Sequence, residues 1–524
     1  MKELICGARL FDVEGSVEIN DRVINLPFGA EGGFIGIDGN HWRIRTVSLH
    51  AFSDDSDTLI DENESLVFAN GHKAPLTGNI FFLDNLLSGE SLFIASEAPD
   101  YVTSTLYITK GVVSLSNEGN AIAIGFDKTE DIEKACRSYY KDAMINKLPR
   151  TMSNTWGDRN GYSRICRDFV LREIEAAKDI GIDIVQIDDG WQTGNTYDPA
   201  IKNEQGRRCF RGDFWKYGKE KFPFGMEEIA KAATDSGLKL GIWFAPDSEN
   251  NYALIDRDIA VLKKAYDDWG VRFFKLDMYW IESRENRDQF LKLLAAVYSF
   301  GDDVAVQLDV TRDKRINYLC GKKYGSIFVE NRYTKSVNSY PYRVLRSLWR
   351  FSKYIPSTRF QFELVNPDLF KECYAEDDVF APSLYGMDYL FASVMLSNPL
   401  FWMELQFLPE LRRAELKPIM RVWRGIREDI ATADVSPIGE CPCGRSFTGF
   451  KVKGKDRSYL LVFRELTDRN SFTFDVGESI EIVNTLISNT SVDATVCGND
   501  VTVKFDKPRA YALIEIKENK FEIT

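Results

Sequence analysis

The amino-acid sequence predicts a multidomain α/β protein: a central (β/α)8 TIM barrel flanked by an N-terminal β-sandwich and a small C-terminal β-sandwich. Three observations carry that prediction. The chain has 524 residues, room for roughly three domains at about 150 residues each. Its two ends show short runs of alternating apolar and polar residues broken by Gly, Asn, Asp and Ser, the pattern of antiparallel sheets. Its middle carries eight short apolar runs with amphipathic stretches between them, over roughly 280 residues, the repeat of eight βα units. A doubly wound open sheet is the alternative, but no G-x-G-x-x-G follows the first strand.

The predicted divisions are an N-terminal sandwich over 1–140, the barrel over 141–434 and a C-terminal sandwich over 435–524. Runs such as Trp42-Arg-Ile-Arg-Thr-Val-Ser-Leu49 and Tyr101-Val-Thr-Ser-Thr-Leu-Tyr-Ile108 read as strands of the first. A linking helix over about 128–145 opens on Lys128-Thr-Glu-Asp-Ile-Glu-Lys-Ala135, which carries a capping signal. Barrel strands are expected at 152–156, 184–187, 238–243, 271–276, 304–308, 326–329, 359–362 and within 394–402. Helices are expected at 169–180 and 226–236. Alternating β returns in Tyr459-Leu-Leu-Val-Phe463 and Ala510-Tyr-Ala-Leu-Ile-Glu-Ile516.

Composition narrows the function. Net charge is −13, from 66 basic and 79 acidic residues, which argues against nucleic acid or an anionic membrane as partner. No run approaches 18 apolar residues, so no membrane span is expected. Met1-Lys-Glu-Leu-Ile-Cys6 is too short and polar for a signal peptide, and a cytoplasmic location is expected. Nine Cys without a repeated spacing read as free thiols in a reducing compartment. The three His, His41, His50 and His72, all precede the barrel. A Ser-His-Asp triad, a Cys-His dyad or a His-ligated metal in the barrel is therefore excluded. Acid–base chemistry there must rest on carboxylates, Lys or Tyr. No motif calls for a cofactor or a metal.

The most informative run is Phe273-Phe-Lys-Leu-Asp-Met-Tyr279. It follows the turn signal Trp269-Gly270 and reads as a strand buried on both faces. Lys275 and Asp277, two apart, share one face at its carboxyl end, where barrels place their chemistry. A purely structural Lys–Asp pair is the alternative. Other strand ends supply Asn154-Thr-Trp156, Asp188-Asp189-Gly-Trp191, Trp243, Gln307-Leu-Asp309 with Arg312 beyond, Glu330-Asn-Arg332, and Trp402 with Glu404. Carboxylates and aromatic rings suit a sugar better than a phosphate, which would want cations and backbone amides.

Glycoside hydrolysis needs two carboxylates flanking the scissile bond. Asp277 and Glu330 end strands four and six and are the pair chosen. A cation beside Asp277 favours its ionised form, as a nucleophile requires. Glu330 follows the apolar run Ile327-Phe-Val329, which suits a general acid. Glu330 as a partner of Arg332 or Arg312, and Asp309 as the acid, stay open. Asp188 and Asp189 read as acceptors for sugar hydroxyls or as a turn. Trp156, Trp191 and Trp243 read as stacking walls or as core.

In sequence order, Ile187-Asp-Asp-Gly-Trp191, Lys221-Phe-Pro-Phe-Gly-Met226, Gly237-Leu-Lys-Leu-Gly-Ile-Trp243-Phe-Ala-Pro246 and Phe274-Lys-Leu-Asp277 resemble the α-galactosidases (melibiases) of glycoside hydrolase family 36 and their clan relatives. The resemblance implies a retaining exo-glycosidase acting on terminal α-galactosyl or closely related residues by double displacement, with a glycoside or oligosaccharide as substrate. It implies Asp277 as nucleophile, with Lys275, Asp188, Asp189 and Trp243 contacting the terminal sugar. The family's acid/base is an Asp where this chain has Glu330. The family's Cys- and Gly-rich, Arg-containing turn after strand five is replaced by Gln307-Leu-Asp309-Val-Thr-Arg312, where Asp309 and Arg312 become candidates for reading the sugar. These departures keep two other readings open, a catalytically silent carbohydrate-binding barrel and a transglycosidase using the same residues. A homo-oligomer is also left open. A Schiff-base role for Lys275 is disfavoured, because an ionised carboxylate beside it holds the amine protonated.

Overall fold

The computed structural model describes residues 2–4, 8–26, 33–39, 41–49, 60–67, 75–99, 101–157, 161–193, 202–210, 214–309, 319–329 and 332–519. Glu330 and Arg312 lie outside them.

The centre is a closed barrel of eight parallel strands. In chain order they are β1 (Met152–Asn154), β2 (Ile184–Ile187), β3 (Lys239–Phe244), β4 (Phe273–Leu276), β5 (Ala305–Leu308), β6 (Ser326–Phe328), β7 (Phe360–Leu364) and β8 (Asn398–Phe401). Each pairs in parallel with the next, and β8 closes on β1 through Met152–Leu400 and Ser153–Phe401. Six fall inside the predicted runs; β3 ends one residue past its run, at Phe244, and β7 two residues past its run, at Leu364. The strands are short because only three to six residues of each pass through the hydrogen-bonded belt.

Side-chain parity sorts the barrel. Met152, Ile184, Phe273, Ala305, Phe328, Leu400 and Trp402 form one apolar cluster inside it. Ile242, Phe274, Leu276, Val306, Phe360 and Phe362 belong to the layer between strands and helices. Residues with the inward parity therefore lead from the apolar cluster up to Lys275 on β4 and Gln307 on β5. The outer layer comprises α1 (Arg167–Ile180), α2 (Met226–Asp235), α3 (Ile255–Trp269), α4 (Arg284–Tyr298), α5 (Pro341–Phe351), α6 (Met387–Ala392) and α7 (Glu410–Thr432). Among the described residues no α-helix follows β5. Gly270 ends α3 at φ 76°, in the left-handed region that glycine enters without cost, and turns the chain into β4.

Before the barrel, a six-stranded and a seven-stranded antiparallel sheet enclose an apolar core around Trp42, Ile44, Phe81 and Leu106. Trp42–Leu49 is a strand as read, but the second run is a strand only over Thr105–Thr109. The linking helix is Ile132–Ala143, and its cap Asp131 makes no side-chain capping bond. The predicted start is too early because Lys128 still pairs with Glu90 in the sheet. After α7 come a five-stranded and a three-stranded antiparallel sheet. Among the described residues no helix is long and apolar enough to cross a membrane.

Candidate active site

The carboxyl ends of β1 to β5, with Trp402 beyond β8, converge on one buried ammonium. Lys275 Nζ lies 2.8 Å from Asp188 Oδ2 and 3.1 Å from Asp309 Oδ2. It also lies 4.9 Å from the centroid of the Trp402 ring, so its fourth side is a π face. Burial opposes a charge on Lys275, but Asp188, Asp309 and Asp277 outweigh it and hold the amine well above the ordinary lysine range. A protonated amine cannot attack a carbonyl, so the Schiff-base alternative loses its nucleophile.

Asp277 is placed differently from its sequence neighbourhood's suggestion. Its Oδ2 accepts from Trp243 Nε1 at 2.8 Å and its Oδ1 accepts from the Met278 N–H at 2.6 Å. Lys275 makes its ion pairs with the two other carboxylates. Burial first, and Asp309 second, push the Asp277 carboxyl up to about 6, against the opposing pull of Lys275 and of the Trp243 N–H. Lys275 thus favours the ionised form of Asp277, burial opposes it more strongly, and the carboxylate predominates above about pH 6. Met278 takes φ 54°, rare for a residue with a Cβ, and this ends β4 and folds its N–H back onto Asp277. The backbone N–H of Asp277 donates to Phe244 O and that of Asp309 to Leu276 O, extending the ladder past the strand ends and fixing both carboxylates.

Asp188 and Asp189 both lie beyond β2, as read from Gly190. Asp188 accepts from Asn154 Nδ2 at 2.7 Å and from Lys275, and its backbone N–H is held by Thr155 Oγ1 at 3.0 Å. Asp189 accepts from Gln192 Nε2. Trp243 is 1% exposed, with its ring centroid 5.6 Å from that of Trp215. Trp191, read as a stacking wall or as core, is fully buried between Trp215 and Trp269, and its Nε1 donates to Trp243 O at 2.9 Å. It is core that carries Trp243 from behind. Glu330 and Arg312 have no described geometry, so their assignments rest on the sequence.

Asn154, read only as a strand-end residue, bridges Asp188 and Gln186. Sequence reasoning passed over other residues that shape the site. Gly157 lets β1 pass β8: an added Cβ would stand 2.1 Å from the Trp402 carbonyl. Tyr252 and Tyr279 stack at 3.8 Å, and the Tyr252 hydroxyl accepts from the Trp280 N–H at 2.7 Å, which pins the loop after Asp277. The left-handed run Asn250, Asn251, Tyr252 that makes this possible had only its Asn-Asn pair as a signal.

The chain is similar to known proteins in part of its sequence and in its fold. The family model described as Melibiase matches residues 130–275. An α-galactosidase of Lactobacillus acidophilus is 30% identical over 115 residues, 22% of this chain and 14% of that protein. The bifunctional α-galactosidase/sucrose kinase of Mediterraneibacter gnavus is 26% identical over 188 residues, 36% of this chain and 16% of that protein. The matched stretches thus span well under two thirds of those relatives. Among solved structures, the family 36 α-galactosidase AgaA of Geobacillus stearothermophilus superposes with a TM-score of 0.63 at 12% identity, covering 95% of this chain and 80% of that one. An α-galactosidase of Lactobacillus brevis gives 0.62 at 11% identity, covering 96% and 76%. At such identities the superpositions speak for the fold. The chain is thus similar to the melibiases over its first four barrel strands, and its barrel and flanking sheets have the fold of the solved family 36 α-galactosidases.

Proposed function

We propose that this protein is a retaining exo-glycosidase that hydrolyses terminal α-galactosyl or closely related residues. Asp277 is the nucleophile and Glu330 the acid/base. The observation that carries the reading is the division of labour among the buried carboxylates. Asp188 and Asp309 neutralise Lys275, whereas Asp277 is held by two N–H donors and oriented by a strained turn. A carboxylate stripped of water and fixed in direction is a competent nucleophile. In the first step an Asp277 oxygen bonds to the anomeric carbon as the glycosidic C–O bond breaks, and Glu330 gives its proton to the leaving oxygen. In the second, Glu330 takes a proton from water, whose oxygen displaces Asp277. Asp309 is the poorer candidate for the acid, since it already serves Lys275 as a counter-charge. Solved α-galactosidases of the same fold in complex with raffinose and with stachyose support an oligosaccharide substrate.

A panel of aryl α- and β-glycosides, with the first-formed anomer read by NMR, tests the class and the stereochemistry together. Cleavage of an α-galactoside with retention is expected. Sugar binding without cleavage of any member would point to a silent binding barrel. Glu330→Gln should cost substrates with poor leaving groups far more than activated aryl glycosides, because only the former need the proton. Equal losses on both would remove Glu330 from the role.

The acid limb of kcat/KM reports the group that must be ionised in the free enzyme. With Asp277 titrating at about 6, activity should fall about tenfold per pH unit below that value. Trp243→Phe removes a donor that favours the carboxylate, and so should move the limb upward. A limb near pH 4 in the parent, or one unmoved in the variant, would detach Asp277 from the profile.

A further inference from the structure

A second concave site lies at the opposite, amino-terminal end of the barrel. It sits where the linking helix, the turn before β7 and the start of the C-terminal sheet meet. Its volume is about 340 Å³. In a chain of net charge −13, Lys134, Arg137, Lys141, Lys453 and Lys455 line it against a single carboxylate, Asp434. Two of these cations are already neutralised. Arg137 is bidentate to Asp434 at 2.7 and 2.8 Å, and Lys453 lies 2.8 Å from Glu478 and 2.9 Å from Glu518. The other three are not. Lys134 and Lys455 are exposed and have no ion pair among the described residues. Lys141 Nζ donates to the carbonyls of Ile430, in the last turn of α7, and of Ala433 just past it, and burial lowers its amine to about 8 against the pull of Asp434. Ser357 lines the same pocket; it is 1% exposed, and its hydroxyl has no hydrogen-bond partner among the described residues. A buried hydroxyl left unpaired is uncommon and costly.

The geometry points to this pocket as a binding site for a phosphate-bearing small molecule. Its phosphate oxygens would accept from the Lys134, Lys141 and Lys455 ammonium groups and from the Ser357 hydroxyl. Several convergent donors suit a dianion with three terminal oxygens better than a single carboxylate. The volume leaves room for a sugar-sized remainder, while the concave shape and the acidic surface elsewhere do not suit a nucleic acid. None of these residues belongs to the site around Asp277, so the inference stands or falls apart from the proposed hydrolysis.

Calorimetric titration of the full chain with inorganic phosphate, and separately with glucose 6-phosphate, tests it against potassium chloride at equal ionic strength. Saturable one-to-one binding is expected. The exposed pair Lys134→Glu and Lys455→Glu should weaken it about tenfold or more, and Ser357→Ala should weaken it by a smaller factor. Binding of inorganic phosphate as tightly as the ester identifies the free anion as ligand; binding of the ester alone identifies a sugar phosphate. Heats no larger than those of chloride, or a Lys134→Glu/Lys455→Glu variant that binds both probes as the parent does, would overturn the site.

Discussion

Asp277→Asn is expected to abolish turnover while making the folded protein more stable at neutral pH. The loss of activity follows from chemistry: an amide cannot form the glycosyl-enzyme ester, and kcat should drop on the order of 10⁵-fold. The gain in stability follows from burial. An unfolded Asp titrates near 3.9, whereas Asp277 in the fold titrates at about 6. Its neutral form is therefore the one the fold prefers. That preference stabilises the protein below about pH 4 and is lost as the pH rises through 6, so at pH 7 the parent bears a cost of roughly 3 kcal/mol. Asn carries no charge to desolvate. It keeps an acceptor for the Trp243 N–H, but its amide faces the Met278 N–H, at a cost of about 1 kcal/mol. The balance favours the variant by roughly 2 kcal/mol, growing between pH 4 and 6 and level above. Denaturation midpoints of both proteins across pH 4–8 measure it. A variant less stable than its parent at pH 7, or one with substantial residual turnover, would contradict the assignment of the buried nucleophile.

The contrast between that site and its sequence shows what a chain discloses. The eight strands were legible because a barrel strand buried on both faces cannot hide its apolar run, and because turn residues such as Gly270 punctuate it. Lys275 and Asp277 were legible for the complementary reason, since ionisable residues inside such a run are costly and stand out. Their partners were not. Which carboxylate meets the ammonium is decided by the stagger between β2, β4 and β5, and that stagger has no local signature. It assigns Asp188 and Asp309 to Lys275 and leaves Asp277 to Trp243. Burial depth was likewise hidden. Trp191 and Trp243 read alike in sequence, yet one carries the other from behind because the chain turns at Gly190, with φ 124°. The early start given to the linking helix has a third cause, a sheet register that outlasts the capping signal at Lys128.

The same stagger makes Lys275 the residue whose loss should cost the most stability. Lys275→Met keeps the length and apolar stem of the side chain, but leaves Asp188 and Asp309 facing each other, each under 5% exposed, without their shared cation. Removing one member of a buried ionic cluster typically costs about 3–5 kcal/mol, because the remaining charges stay desolvated and uncompensated. Against a total stability of roughly 5–15 kcal/mol, that brings the barrel near its threshold. Two features separate this cause from simple cavity formation. First, the deficit is electrostatic, so adding Asp188→Asn to Lys275→Met should recover part of it, whereas either change alone destabilises. Second, protonating a stranded carboxyl removes its charge, so the deficit should be largest at neutral pH and shrink as the pH falls toward the carboxyl range. Activity should fail together with stability, since the cation also favours the ionised form of Asp277, and any residual acid limb should move above its parent value. Denaturation midpoints of the two single variants and the double variant form a double-mutant cycle that isolates the coupling. Additive losses would show that the Lys275–Asp188 contact carries no net energy, and the ammonium would then be retained for the substrate alone.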